Sequence, residues 1–134
     1  LLEDMGVSDR VIWLNAGTTA GYSWGELVEY YRSADVVVDQ FGWWFGLVTL
    51  EGAACGKPVV NQLDGVVMDD LYPDGHPFVQ ASNHREVSDV LVRLSDPQVR
   101  DVIGEASRDW IMRHHDRAVV AAECAKRLEA IVTK

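Results

Sequence analysis

The stretch DQFGWWFGLVTLEGAACGKPVV, residues 39–60, decides how the rest of the chain is read. Residues Gly46 to Cys55 are helix-compatible, and Gly56 with Pro58 closes the segment with glycine just past the end and proline soon after. Ahead of it, DVVVDQ (35–40) is a nearly continuous β-branched run, the pattern of a strand buried on both faces of a parallel sheet. FGWW is then a loop, and PVVNQ after the helix is the next strand.

Working outward, RVIWLN (10–15) reads as a short apolar strand running into the turn-forming stretch AGTTAG. SWGELVEYYRSA carries Ser23 and Glu26 at capping-box spacing, followed by Trp24, Leu27, Val28 and Tyr31 on one helical face. Beyond residue 60, QLDGVVMDDLYPDG (62–75) is acidic and rich in turn formers and reads as a loop, and PFVQAS as another short strand. Asn83 and Glu86 form a second capping box ahead of Val87, Val90, Leu91 and Leu94. Asp96-Pro97 restarts a helix with Val99, Val102, Ile103, Ala106 and Trp110 as its apolar stripe. Asp116 caps a last helix carrying Val120, Cys124, Leu128 and Ile131. Strands alternating with helices imply an α/β fold: a Rossmann-like parallel sheet flanked by helices, with a helical C-terminal tail. The 134 residues, 48% hydrophobic, suit one domain over 1–134. The opening LLEDMG reads as the tail of a helix that begins before Leu1, so a fragment of a longer protein is expected.

Composition narrows the function. Net charge is −9 and the twelve Lys and Arg are scattered, so no basic stripe offers itself to nucleic acid. The apolar runs are far shorter than the ~20 residues that span a bilayer. Cys55 and Cys124 sit in apolar helical patterns and read as reduced core thiols of a cytoplasmic protein. His76, His84, His114 and His115 show no metal-ligand spacing. Asp64, Asp69, Asp70 and Asp74 lack a regular calcium-loop spacing and read as a solvated loop, so no metal site is expected.

Open parallel sheets bind ligands beyond the carboxyl ends of their strands, where loops enter helix N-termini. Gly46 opens such a helix, and the N–H groups of Gly46, Leu47 and Val48 suit a phosphate. Glu51 stands out because it is the lone carboxylate or base between Asp39 and Lys57, and burying an unpaired carboxylate costs several kcal/mol. Lying about one turn from Gly46, it can reach the same pocket and accept hydrogen bonds from ribose hydroxyls. A basic side chain or water at a helix edge would satisfy it equally, and the spacing leaves both open. Trp43 and Trp44 likewise fit either a stacked ligand or a covered core or interface.

The residues ADVVV and FGLVTLEGAACGKPVV resemble the central motif of the retaining, nucleotide-sugar-dependent glycosyltransferases of group 1, which have the GT-B fold. Phe45, Gly46, Leu47, Glu51, Gly56, Lys57, Pro58 and Val59 fall in register with it. The resemblance covers essentially the whole chain and implies the C-terminal, donor-binding domain of a two-domain enzyme. It implies that Glu51 binds the ribose hydroxyls, that the backbone at Gly46, Leu47 and Val48 holds the donor's diphosphate, that Trp43 and Phe45 also belong to the donor-binding set, and that Asn15, Ala16 and Gly17 approach the base. The family's first motif glutamate, which contacts the donor sugar, is replaced here by Trp43. Asp39 and Gln40, as in a variant with Asp-Gln after the strand, then become the candidate catalytic contacts to the sugar.

The expected reaction moves a sugar from a nucleotide diphosphate sugar to an acceptor with retention. The acceptor is a glycan, a lipid or a small molecule, and no cofactor is implied. An acceptor domain and a basic Arg/Lys pair would precede Leu1. The isolated fragment is expected to be inactive, and any membrane contact peripheral and made through the missing domain. Two other readings stand beside this one: a non-catalytic nucleotide-binding or scaffold domain of the same fold, to which Trp43 points, and a GT-B epimerase or phosphorylase.

Overall fold

The computed structural model describes residues 8–14 and 21–132. Within them a three-stranded parallel sheet, order β1-β2-β3, is built from β1 (Val37–Val38), β2 (Val59–Asn61) and β3 (Val79–Gln80). The register pairs Val37 with Val59, Val60 with Val79 and Asn61 with Gln80. Helix α1 (Trp24–Ser33) precedes β1, α2 (Leu47–Ala54) joins β1 to β2, and α3 (Gly65–Leu71) joins β2 to β3. Helices α4 (His84–Arg93), α5 (Pro97–His114) and α6 (Arg117–Val132) follow. The α/β class and flanking helices expected from the alternation are both present.

Two right-handed crossovers stepping the same way across a sheet place their helices on one face. The core agrees. Alternation along β2 sends Val59 into a cluster with Ala53 of α2, Met68 of α3, Tyr31 of α1 and Trp110 and Ile111 of α5. Val60 faces the opposite way, into a second cluster with Val79, Ala81, Leu94 and the partly buried Val87 and Val90 of α4. Helix α5 serves both, with Val99 and Ile103 on the second cluster and its C-terminal half on the first.

Several helix ends form as their residues require. Ser23 accepts the Glu26 N–H while the Glu26 carboxylate accepts the Ser23 N–H, a complete capping box. Asn83 caps α4 through the N–H groups of Arg85 and Glu86, although Glu86 reaches back to Ser82 rather than to Asn83's own N–H. At the end of α2, Gly56 adopts φ +72, its N–H donates to Ala53 and that of Lys57 to Gly52, which closes a Schellman motif. The Arg108 guanidinium bonds the Ala54 carbonyl at the same end. The Gly-Lys-Pro of the motif is therefore a helix stop. Lys57 lies past the C-terminal end of α2, just ahead of β2, so the full length of the helix, about 12 Å, stands between it and Gly46.

Other expectations are corrected. Residues 11–14 form no strand: after a 3-10 turn at Ser8–Arg10 they have no ladder partner among the described residues, and Ile12 and Trp13 are exposed. The 62–75 stretch is not all loop, because Asp64 caps α3 through the N–H groups of Val66 and Val67 and Met68 is buried beneath it. Val38 is exposed and Val36 only partly buried against the second cluster, so the β1 run is fully covered on the Val37 face alone. On α1, Trp24 projects into solvent while Leu27 and Tyr31 face the core. The α5 stripe is rotated: Val102 and Ala106 face solvent, and Gly104, Ser107, Trp110 and Ile111 are buried. Helix α6 is exposed throughout its described length, so Cys124 is not a core thiol, whereas Cys55 is partly buried against the first cluster.

The rotation of α5 has a steric cause. Helices α2 and α5 cross where Gly104 meets Gly56, and a Cβ at Gly104 would run into the backbone carbonyl of Gly56. Gly104→Ala should therefore lower the unfolding free energy by about 2 kcal/mol in urea titration. Gly25→Ala, whose Cβ would enter open space in the first turn of α1, should be neutral or slightly stabilising in the same assay.

Candidate functional site

Asp39, Asn61 and Gln80 stand at the carboxyl ends of the three strands, and the first turn of α2 faces them. Gly46, the N-cap residue of α2, has no side chain to cap with. Asp39 does that work from the strand end. Its Oδ2 accepts the N–H of Gly46 at 3.1 Å, the N–H of Thr49 at 3.2 Å and the Thr49 hydroxyl at 2.6 Å. A carboxylate in that position complements the positive end of the helix dipole. Of the three N–H groups suited to a phosphate, Gly46's is thus occupied by Asp39. Those of Leu47 and Val48, in the first turn, have no intrahelical acceptor.

Glu51, one turn further along α2, is half-buried, and its Oε2 accepts a hydrogen bond from the Tyr31 hydroxyl at 2.8 Å. Tyr31 is 4% exposed and packs in the first core cluster. Burial, reinforced by the hydrogen bond to Glu51 and its charge, pushes the Tyr31 hydroxyl well above the usual tyrosine range. The partner of Glu51 is therefore a neutral donor, not a basic side chain. Its second oxygen accepts nothing among the described residues, and a carboxylate can accept several hydrogen bonds.

The loop between β1 and α2 is held at three points. Gln40 Nε2 donates to the Trp44 carbonyl at 3.0 Å, and the Asp64 N–H donates to the Trp43 carbonyl at 2.9 Å. Phe45 is buried and meets Tyr72, Phe78, Trp110 and His115 at ring-centroid distances of 5.9 to 6.3 Å. Trp44 stacks on the outer face of Phe45, at 4.8 Å and 15°. Trp43 adopts φ +67, a costly backbone for a bulky residue, and its side chain is 62% exposed. Phe41 and Leu47 are exposed beside it in sequence, giving this end of the sheet an apolar rim.

Asp39, Gln40, Trp43, Phe45, Gly46, Leu47, Val48 and Glu51 thus all lie on one β1–α2 unit, with Phe45 turned inward as an anchor. Asn15, Ala16 and Gly17 lie outside the described residues. The sequence pattern does not reveal Tyr31 as the partner of Glu51, Thr49 as the partner of Asp39, or Asn61 and Gln80 as the residues that extend that contact from Thr49 across the strand ends. In the sequence Tyr31 falls on the apolar face of its helix, and its hydroxyl is the one signal there of a polar partner. Also missed was the packing of His114 and His115 with Tyr72 and Trp110, where Tyr72 Oη lies 3.1 Å from His115 Nε2. Burial lowers the pKa of His76 and of His115, the latter with help from His114. Among the described residues no group of three or more His, Cys, Asp or Glu could hold a metal ion, and no helix is long and apolar enough to cross a membrane.

No protein-family model matches the chain, and no solved structure matches it. Curated relatives do. The D-inositol 3-phosphate glycosyltransferase of Arthrobacter sp. (strain FB24) is 40% identical over 86 residues, covering 61% of this chain and 20% of that protein. The protein of the same name from Acidothermus cellulolyticus is 33% identical over 118 residues, 86% of this chain and 25% of its own length. That of Mycolicibacterium smegmatis is 44% identical over 61 residues, 45% of this chain and 13% of its own length. The chain spans a quarter or less of these relatives.

The Tyr31–Glu51 bond makes its own prediction. Tyr31→Phe keeps the ring in the core and removes the hydroxyl, and should cost about 1 kcal/mol in urea titration at neutral pH. Because the folded pKa of Tyr31 is raised, the stability it contributes is complete below the unfolded value of 10.0 and is lost as pH rises beyond it. The wild-type and Tyr31→Phe stability curves should therefore converge above that pH.

Proposed function

We propose that this chain, a relative of the group 1 glycosyltransferases of the GT-B fold, is the nucleotide-sugar-binding part of such an enzyme. The whole protein would transfer a sugar from a nucleotide diphosphate sugar to an acceptor with retention of configuration. The observation that carries the reading is Glu51: a carboxylate on an apolar helix, held by one neutral hydroxyl and, among the described residues, left with an unclaimed oxygen one turn from two first-turn N–H groups.

In this reading Glu51 accepts hydrogen bonds from the ribose hydroxyls, while Tyr31 fixes its rotamer from the core side. The N–H groups of Leu47 and Val48 donate to the diphosphate. As the bond to the sugar breaks, negative charge grows on the departing diphosphate, and those donors with the helix dipole stabilise it. Phe45 anchors the loop, Asp39 and Gln40 stand where the donor sugar lies, and Asn15, Ala16 and Gly17 line the base. No cofactor takes part. The acceptor, a glycan, lipid or small molecule, binds an N-terminal domain that also supplies basic groups to the phosphates. The protein works in the cytoplasm, with any membrane contact made by that domain.

A second reading has one observation in its favour. Trp43 stands at the family's first motif glutamate, and Asp39 and Gln40 are both engaged in holding the loop and the helix. A non-catalytic domain that binds a nucleotide sugar would show the same arrangement.

Saturation-transfer NMR on this chain with UDP, GDP, ADP and a sugar ester of each tests the reading. One nucleotide series should bind, and Glu51→Ala should weaken it at least about tenfold with an unchanged circular dichroism spectrum. Binding unaffected by Glu51→Ala, or no binding by any nucleotide, would contradict it.

A further inference from the structure

A line of side-chain hydrogen bonds crosses the carboxyl edge of the sheet, and its polarity is fixed from one end. The Leu63 N–H can only donate, and it donates to Gln80 Oε1 at 2.9 Å. The Gln80 amide nitrogen must then face Asn61, whose Oδ1 it meets at 3.3 Å. Asn61 Nδ2 in turn donates to Thr49 Oγ1 at 3.1 Å. The single hydroxyl proton of Thr49 is left to point at Asp39 Oδ2, 2.6 Å away. Thr49 and Asn61 are 0% exposed, so neither can exchange these partners for water. Every member points its proton toward residue 39, which therefore has to be an acceptor.

The consequence lies at the mouth of α2. With Oδ2 occupied by three donors, the Asp39 carboxylate is fixed beside the first turn, and its Oδ1 accepts nothing among the described residues. A nucleoside diphosphate ends in a phosphate monoester whose second ionisation lies near pH 6, so at neutral pH its terminal group is close to dianionic. In a nucleotide sugar that phosphate is esterified, carries one charge fewer, and brings sugar hydroxyls that a carboxylate oxygen can accept.

We infer that Thr49, Asn61 and Gln80 are positioning residues that hold the Asp39 charge where it disfavours free nucleoside diphosphate relative to its sugar ester. The inference rests on the reading of α2 as a nucleotide diphosphate site. It assigns the network a task beyond packing, selection of loaded donor over spent product, and that task is expressed as a ratio of two affinities.

The test measures dissociation constants of this chain for UDP and UDP-glucose, GDP and GDP-mannose, and ADP and ADP-glucose at pH 7.5. In Thr49→Val, which removes the hydroxyl at nearly constant shape, preference for the sugar ester should fall about fivefold. Thr49→Ser should keep the preference and Asp39→Asn should lose it. Should Thr49→Val fail to fold, Gln80→Met at the exposed far end of the chain should give a smaller change of the same sign. An unchanged ratio in folded Thr49→Val and Gln80→Met, with both affinities moving together, would overturn the inference and leave the nucleotide reading standing. Binding of none of the probes by the wild type would overturn both.

Discussion

A single carboxylate oxygen ties the sheet to the helix on which the functional reading depends. Asp39 leaves β1 and takes over the capping that Gly46, without a side chain, cannot perform for α2. That contact aligns the start of α2 over the strand ends and holds Thr49 inward, where Asn61 and Gln80 extend the contact to β2 and β3. At the far end of α2, Gly56 in the left-handed conformation and the close crossing of Gly104 fix the helix against α5. With both ends held, the first-turn N–H groups and Glu51 are presented on a rigid element, which suits recognition of a diphosphate and a ribose.

The polar part of the site is carried by an apolar scaffold. Phe45 enters the aromatic cluster of Tyr72, Phe78, Trp110 and His115, so the loop bearing Trp43 and Trp44 is anchored between the strand-end network and the core. Trp43 holds a strained backbone because its carbonyl is pinned by Asp64, the residue that also caps α3. The indole this exposes stands on the apolar rim at the carboxyl ends of the strands.

What was legible in the sequence was local. Ser23 and Glu26, Asn83, Asp96-Pro97, Asp116 and the Gly56-Pro58 stop each act within a few residues of themselves, and each bounds its helix as its spacing implies except that the Glu86 half of the second box goes to Ser82. The unusual carboxylate at 51 was legible too, because an apolar helix isolates it. Its partner was not, since Tyr31 lies twenty positions earlier and meets Glu51 only once α1 packs on α2. The Asp39 to Gln80 network depends on strand register, which no local pattern encodes. Helix α3 was hidden for a related reason: Gly65, Asp69 and Asp70 are poor helix signals, and burial of Met68 outweighs them. On α5 the heptad-like spacing of Val102 and Ala106 pointed to the wrong face, because the demand of Gly104 for close approach sets the rotation.

The most direct test of the account is a backbone amide map of this chain, by proton–nitrogen correlation NMR, titrated with whichever nucleotide sugar it binds. The account predicts that the largest perturbations fall on the Leu47 and Val48 amides and extend along α2 to Glu51 and across to Tyr31. Perturbations centred elsewhere, such as the depression between Gly75–Pro77 and α5, with the first turn of α2 unmoved, would contradict it.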